Sequence, residues 1–517
     1  MSTPLVLAVD CSTTAAKAVV MDGAGRPVAS ASTPLALDRP GPGRHEQDAA
    51  TWWQATRRSI REAVSALDEP ARVAAACLTH QRESFVCLDR DGEALRPAVL
   101  WLDSRAGAEI AELGTDRVLA LSGKPPDTTP ALYKLAWLAR HEPAVLHGAA
   151  RVAEVHGYLA GHLTRHLGGH ATGPWATSTA SADSLGLLEL VEGTWSAELL
   201  GLAGVRRDQL PDLVPPGEVL GQLAPEIAAD LGLPGPIPLV AGLGDGQAAG
   251  LGAGAVDAGT AYLNLGTSMV LGTPTSTYLS GNAFRTLAGA PAGTFVLETV
   301  LNAAAYLADW FRREFGATAG AAPDPALEAA AAALAPGADC LLVLPYWNAA
   351  QTPYWDPAAR GAIVGLTGTH TRAHVYRALL EGVAFELRLH LEGLEQATRT
   401  PITSIRAMGG GSRSPLWAQI VADVTGRQLR LCDGEEISAR GAAVLAWAGA
   451  GLGGDVREVS RRMGALGGTI TPDAARAARY ARLFAVQREL YPGLREVFAR
   501  LASVTDQPGT DESGTDG

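Results

Sequence analysis

Residues 5–21 read LVLAVDCSTTAAKAVVM: an apolar run, a polar turn of small residues bearing Asp10, Thr13, Thr14 and Lys17, and a second apolar run. Short apolar stretches bounded by turn residues predict strands, so this is a strand, a tight turn and a returning strand. DGAGR and PVASAS follow as a hairpin and a third strand. DAATWWQATRRSIREAVSAL (48–67) then places apolar residues at helical spacing behind an acidic start, which predicts a helix capped by Asp48. Strands and helices alternate beyond it, the pattern of an α/β fold. At 260–271 the opening is repeated, because TAYLNLGTSMVL again runs from a strand through a small polar turn into another strand. Two lobes that begin alike are the simplest reading. ITSIRAMGGGSRSPLWAQIVADVTG (402–426) adds a strand, a triple-glycine turn at a helix amino terminus, and a helix whose apolar face includes Leu416, Ile420 and Val424. Residues 317–337 predict a loop followed by an alanine-rich surface helix.

At 517 residues the chain exceeds what one hydrophobic core usually serves, so two domains are expected. A composition of 47% hydrophobic and 19% charged residues fits a globular enzyme. The net charge of -12, with no Lys/Arg block, argues against a nucleic-acid protein. Lys17, Lys124 and Lys134 are the only lysines, so one in a polar turn stands out. The cysteines at 11, 77, 87, 340 and 432 form no CxxC pair, which suits a reducing cytoplasm. The start lacks a signal-peptide pattern and no apolar run is long enough to span a bilayer, so the expected location is cytoplasmic, without a membrane partner.

Small residues in DCSTTAAK let backbone N–H groups approach an anion, Thr13 and Thr14 add hydroxyls, Lys17 adds charge, and Asp10 could hold magnesium through water. An ordinary hairpin is the competing reading. NLGTS (264–268) repeats this chemistry and MGGGS (408–412) adds a third glycine turn, each after a strand. A nicotinamide site competes for MGGGS, but it meets GxGxxG spacing only loosely. THQRES (79–84) sets Gln81, Arg82 and Glu83 at the end of a strand, where α/β proteins place ligands; a surface Arg/Glu pair is the alternative. PAVLWLDSR (97–105) offers Trp101, Asp103 and Arg105 similarly, with the structural alternative stronger. In PLVAGLGDGQAAGLGAG (238–254), Asp245 stands between two glycines with no side-chain neighbour to shield it, so that a hydroxyl could approach; a helix cap is the alternative.

With these stretches, in this order, and with GAIVGLTGTHTRAHVYRALLEGVAFEL (361–387), the sequence resembles the FGGY family of carbohydrate kinases from about residue 5 to about residue 500. The resemblance implies two actin-like (ribonuclease-H-like) lobes with a central cleft, ATP and Mg2+ in that cleft, and transfer of the γ-phosphoryl group to a hydroxyl of a small neutral sugar or polyol. By position it makes Asp245 the catalytic base and Asp10 the metal-side carboxylate. Thr13, Thr14, Lys17, Gly266 and Thr267 fall on the phosphate side, Gly410 and Gly411 on the adenosine side, and Gln81, Arg82 and Glu83 on the substrate side. LTHQRES is closest to glycerol kinases and EQDAATWW to xylulokinases. Yet Gly246 stands where glycerol kinases carry Gln and xylulokinases Asn, and Arg82-Glu83 where xylulokinases carry Met-His.

The expectation is therefore a xylulokinase-like kinase of a pentulose, with glycerol or tetritol kinase as the alternative and an ATP-binding scaffold as the alternative of another class. A sugar acid would meet Glu83 and Asp245 with one arginine to offset them and is expected to bind poorly. The lobes are expected at 1–255 and 256–502, with a disordered acidic tail at 503–517. A homodimer is compatible with this reading.

Overall fold

The computed structural model of the chain describes residues 3–169, 175–316, 324–464 and 466–505. In the first half, β1 (Leu5–Cys11), β2 (Ala15–Met21) and β3 (Pro27–Pro34) form the predicted antiparallel run. Helix α1 (Ala49–Ser65) follows, its first turn closed by Asp48 accepting from the Ala50 N–H. It buries Trp52, Ile60 and Val64 against the sheet, roughly 1.5–3 kcal/mol for each large apolar side chain. β4 (Val73–His80), β5 (Val219–Gln222) and β6 (Pro238–Gly244) complete a six-stranded sheet in the order β5-β6-β4-β1-β2-β3, with β1, β4 and β6 parallel. Helix α2 (Asp245–Gly252) leaves β6 directly.

The second half opens as the first does. β7 (Thr260–Leu265) pairs antiparallel with β8 (Met269–Thr275), and β9 (Arg285–Ala288) and β10 (Phe295–Leu301) extend that edge. Helices α3 (Ala305–Phe315), α4 (Pro325–Ala332) and α5 (Arg372–Thr398) precede β11 (Ser404–Met408), which runs parallel to β7 as β4 does to β1. After α6 (Pro415–Thr425) and β12 (Gln428–Cys432) come α7 (Ile437–Gly449), α8 (Val456–Met463), β13 (Leu466–Ile470) and α9 (Ala474–Thr505). The second sheet runs β9-β10-β8-β7-β11-β12-β13.

The sheets divide near residue 255, but the cores do not. Ala439, Val444, Trp447 and Met463 of α7 and α8 pack against Val6, Val19 and Leu243, covering the face of the first sheet opposite α1. Helices α2 and α7 touch backbone to backbone: a Cβ on Gly252 would overlap the Ile437 carbonyl, and one on Gly441 the carbonyl of Ala248. This contact places the start of α2, and so Asp245, at the seam between the halves.

Three local expectations change. The triple-glycine turn does not open α6 itself; a short 3-10 turn, Gly410–Arg413, intervenes and Ser414 caps the helix. Trp417 takes the inward position beside Ile420 and Val424, which leaves Leu416 half-buried. Residues 503–505 finish α9 rather than beginning a disordered tail, while 506–517 and 317–323 lie outside the described residues. Among the described residues no helix is long and apolar enough to cross a membrane.

Candidate active site

The carboxyl ends of β6, β4 and β1 lie side by side, with both Gly244 and Cys11 in register with His80. Asp245 follows the first, Gln81, Arg82 and Glu83 the second, and Asp10 belongs to the third. A cavity of about 130 Å³ opens there, lined by Arg82, Glu83, Trp101, Asp245, Arg285 and Gln351 together with smaller residues.

Asp245 is not without a side-chain neighbour, as the sequence suggested. Arg82 Nε lies 3.1 Å from its Oδ1, and Arg82 Nη2 lies 2.9 Å from Glu298 Oε1. Arg285 donates from Nε to the same Glu298 oxygen and from Nη1 to Glu83 Oε1, both at 2.8 Å. Tyr262 donates to Glu298 Oε2 at 2.7 Å. Arg82 and Glu83 are therefore no surface pair: both are buried, and each reaches a partner from the second half of the chain. Nor does Asp245 cap its helix, since Gly244 holds that position and the carboxylate instead accepts from the Gly246 N–H at 2.8 Å.

The glycines beside Asp245 now have a reason. A Cβ on Gly244 would collide with Arg82 Cγ and Cδ, and one on Gly246 would lie 2.5 Å from Glu298 Oε2 and 2.9 Å from Arg82 Nη2. Both positions must be bare for the guanidinium to lie across the carboxylate. The Asp245 side chain keeps 41% of its surface open to the cavity, but burial at that depth raises its pKa; Arg82 opposes the rise and Glu298 adds to it. Burial would also raise Glu298, yet Arg82, Arg285 and Tyr262 outweigh it and hold the carboxylate down at about 2.

Burial, then the charge of Asp245, pushes Asp10 up to about 7 against the pull of Lys17, and Asp10 Oδ1 is buried without a hydrogen-bond partner among the described residues. No group of three or more His, Cys, Asp or Glu side chains among the described residues could hold a metal alone. One unpartnered carboxylate oxygen nevertheless fits Mg2+, which takes one or two carboxylates and completes its shell with phosphates and water.

Lys17, expected beside phosphate, gives its ammonium to Glu436 at 2.8 Å, just before α7. The Thr13 hydroxyl donates to Gln81 Oε1 at 3.0 Å and accepts from Trp101 Nε1 at 2.9 Å, so it is spent on holding the turn. Gln81 is buried, bonded also to Gln47 and Ser84, and does not line the cavity where substrate contact was expected. Thr14 stands exposed at the turn tip. Asp103 and Arg105 form a buried cluster with Glu46, away from the cavity that Trp101 lines.

The turn between β7 and β8 carries Gly266 and Thr267, whose carbonyls accept from Ala305 and Ala304 at 2.9 and 3.0 Å and so pin the start of α3. Ser268 of that turn reaches the first cavity. Beyond it a second cavity of about 580 Å³ is lined by Gly410 and Gly411 with Ala308, Glu328, Tyr376 and Trp417. The expected phosphate turn thus lies between a small charged cavity and a large, mainly apolar one.

Sequence reasoning missed Glu298, Arg285 and Tyr262 and gave Trp101 too little weight. The signal for Glu298 was a lone charge in FVLETVL, a strand buried at every position.

The model for the FGGY family of carbohydrate kinases, N-terminal domain, matches residues 5–252, and that for the C-terminal domain matches 261–450. The chain is 32% identical to the xylulose kinase of Escherichia coli over 502 residues, 96% of this chain and 100% of that protein. It is also 32% identical to the glycerol kinase of Bordetella parapertussis over 456 residues, 85% and 88% of the two chains. The crystal structure of xylulose kinase from Rhodospirillum rubrum superposes with a TM-score of 0.88 at 32% identity, covering 96% of this chain and all of that one. The chain therefore belongs to the FGGY family of carbohydrate kinases, and is a phosphotransferase rather than a scaffold built on the same fold.

Proposed function

We propose that the protein transfers the γ-phosphoryl group of ATP to a hydroxyl of a small neutral sugar or polyol, a pentulose in the first place, with Asp245 as the general base. The supporting observation is a carboxylate kept partly open to a small cavity, with a buried guanidinium 3.1 Å away. In this reading Asp245 accepts the proton of the attacking hydroxyl, Arg82 and Glu83 orient the rest of the substrate, and the turn at Gly266 and Thr267 faces the transferring phosphate. Mg2+ held on the Asp10 side would neutralise charge on the β- and γ-phosphates. Gly410 and Gly411 border the room for adenosine. Three carboxylates and two guanidiniums in the cluster leave one net negative charge, which disfavours a sugar acid.

Glycerol or a tetritol is the second reading, favoured by the 130 Å³ cavity and by the glycerol kinase relative. A coupled ADP-release assay over pentuloses, tetritols, glycerol, hexuloses and gluconate separates these readings, and silence across the panel would overturn the proposed range. Asp245→Asn is expected to fold and to lose at least roughly 100-fold in turnover.

A further inference from the structure

Glu298 is fully buried and is not part of the cavity wall, yet it is the point at which the charge cluster crosses between the halves of the chain. It comes from β10; Arg82 and Asp245 come from the ends of β4 and β6. The side edge of a guanidinium, Nε with Nη2, is the edge that normally grips one carboxylate with two parallel hydrogen bonds. Here that edge is divided: Nη2 donates to Glu298 at 2.9 Å, while Nε stands 3.1 Å from Asp245 in an ion-pair contact that lacks hydrogen-bond alignment. The gap that admits Glu298 is the missing side chain of Gly246.

We propose that Glu298 is a positioning residue for phosphoryl transfer: reaching through the gap at Gly246, it draws one nitrogen of Arg82 away from Asp245, so that the base keeps an oxygen free for the substrate hydroxyl. Without Glu298, Arg82 would close both N–H groups onto Asp245 and occupy the lone pairs that the reaction needs. Tyr262 and Arg285, which also donate to Glu298, fix the carboxylate so that it does not follow Arg82. This inference rests on Asp245 as the base.

Kinetics of Glu298→Gln, Glu298→Asp, Asp245→Asn and the double variant Asp245→Asn/Glu298→Gln test it, with turnover normalised to the folded fraction counted by binding of a non-hydrolysable ATP analogue. Glu298→Gln should lower kcat roughly 10- to 100-fold while KM for ATP stays within about twofold, and Glu298→Asp should recover part of the loss. In the Asp245→Asn background the same change should cost nothing further, because there is no base left to free. Unchanged kcat in Glu298→Gln, or an equal loss in both backgrounds, would overturn the proposal alone. Near wild-type turnover in Asp245→Asn would overturn the base assignment, and the proposal with it.

Discussion

The two cavities of the cleft are built by opposite means. The smaller is walled by charges, with Arg82, Arg285 and Glu83 all under a tenth exposed and, with Glu298 buried behind them, linked across the seam. The larger, about 580 Å³, takes most of its surface from a glycine turn, alanines and two aromatic rings; its charged residues, Asp309, Arg312, Asp324, Glu328 and Arg413, are none of them buried, and Ser414 and Tyr376 both donate to Glu328. Buried charges discriminate strongly, because a ligand that fails to match them leaves groups unpaired at about 1–3 kcal/mol each. An apolar wall discriminates by shape and yields more gradually. The small cavity should therefore set which hydroxylated substrate reacts, while the large one holds a constant part.

Gly246→Asn is the severest way to break that contrast. Its Cβ would lie 2.5 Å from Glu298 Oε2, so the charge cluster must come apart, and kcat/KM for the sugar should fall at least roughly 100-fold. Affinity for an ATP analogue should stay within about threefold, as measured by calorimetry on the same preparation. An equal loss in both would mean that the two cavities are not independent.

Glu83→Ala comes next. It strips the Arg285 guanidinium of one carboxylate partner, and kcat/KM for the sugar should drop by roughly 1–3 kcal/mol with KM for ATP unchanged. An ATP defect with normal sugar kinetics would place the substrate elsewhere.

How far the sequence could be read follows the same division. The β1–β2 and β7–β8 openings, the Asp48 cap and the glycine turns are local, and each is legible because turn chemistry and apolar period act over a few residues. Asp245 was legible as an isolated carboxylate. Its partner Arg82 was taken as a substrate contact only, and Glu298 and Arg285 were missed, since those pairs join residues 216 and 202 positions apart in the chain. No period or spacing encodes such a distance. Lys17 misled for the same reason, its carboxylate partner lying 419 residues away.

Gly411→Ala probes the larger cavity. The added Cβ would meet Leu265 Cγ at 2.7 Å and Trp417 Cζ3 at 2.8 Å, an overpacking that side-chain shifts absorb in part. KM for ATP should rise about tenfold and KM for the sugar should stay flat, read from initial rates with each substrate varied in turn.

The smallest effect on the reaction, none, is expected at Glu386, which tests why the charges of the small cavity are tolerated at all. Glu386 in α5 is buried like Glu298, at 4% and 0% exposed, but among the described residues the Tyr346 hydroxyl, at 2.7 Å, is its one close donor, and His390 Nε2 lies 3.9 Å away while donating to the Thr352 carbonyl. Burial therefore wins and pushes it up to about 7, whereas Glu298, with two guanidiniums and a phenol, is held at about 2. The folded protein then retains a proton that the unfolded chain releases above about 4.5, so this group's contribution to stability is largest below that pH and is lost as pH rises through about 7. Glu386→Gln removes the titration and keeps the acceptor for Tyr346. Relative to the parent it should gain about 2 kcal/mol between pH 5 and pH 8, measured by denaturant melts at both, with turnover unaltered. A difference that does not change with pH would show that Glu386 is solvated better than its surroundings suggest, and would weaken the inference that donors, rather than access to water, keep Glu298 charged.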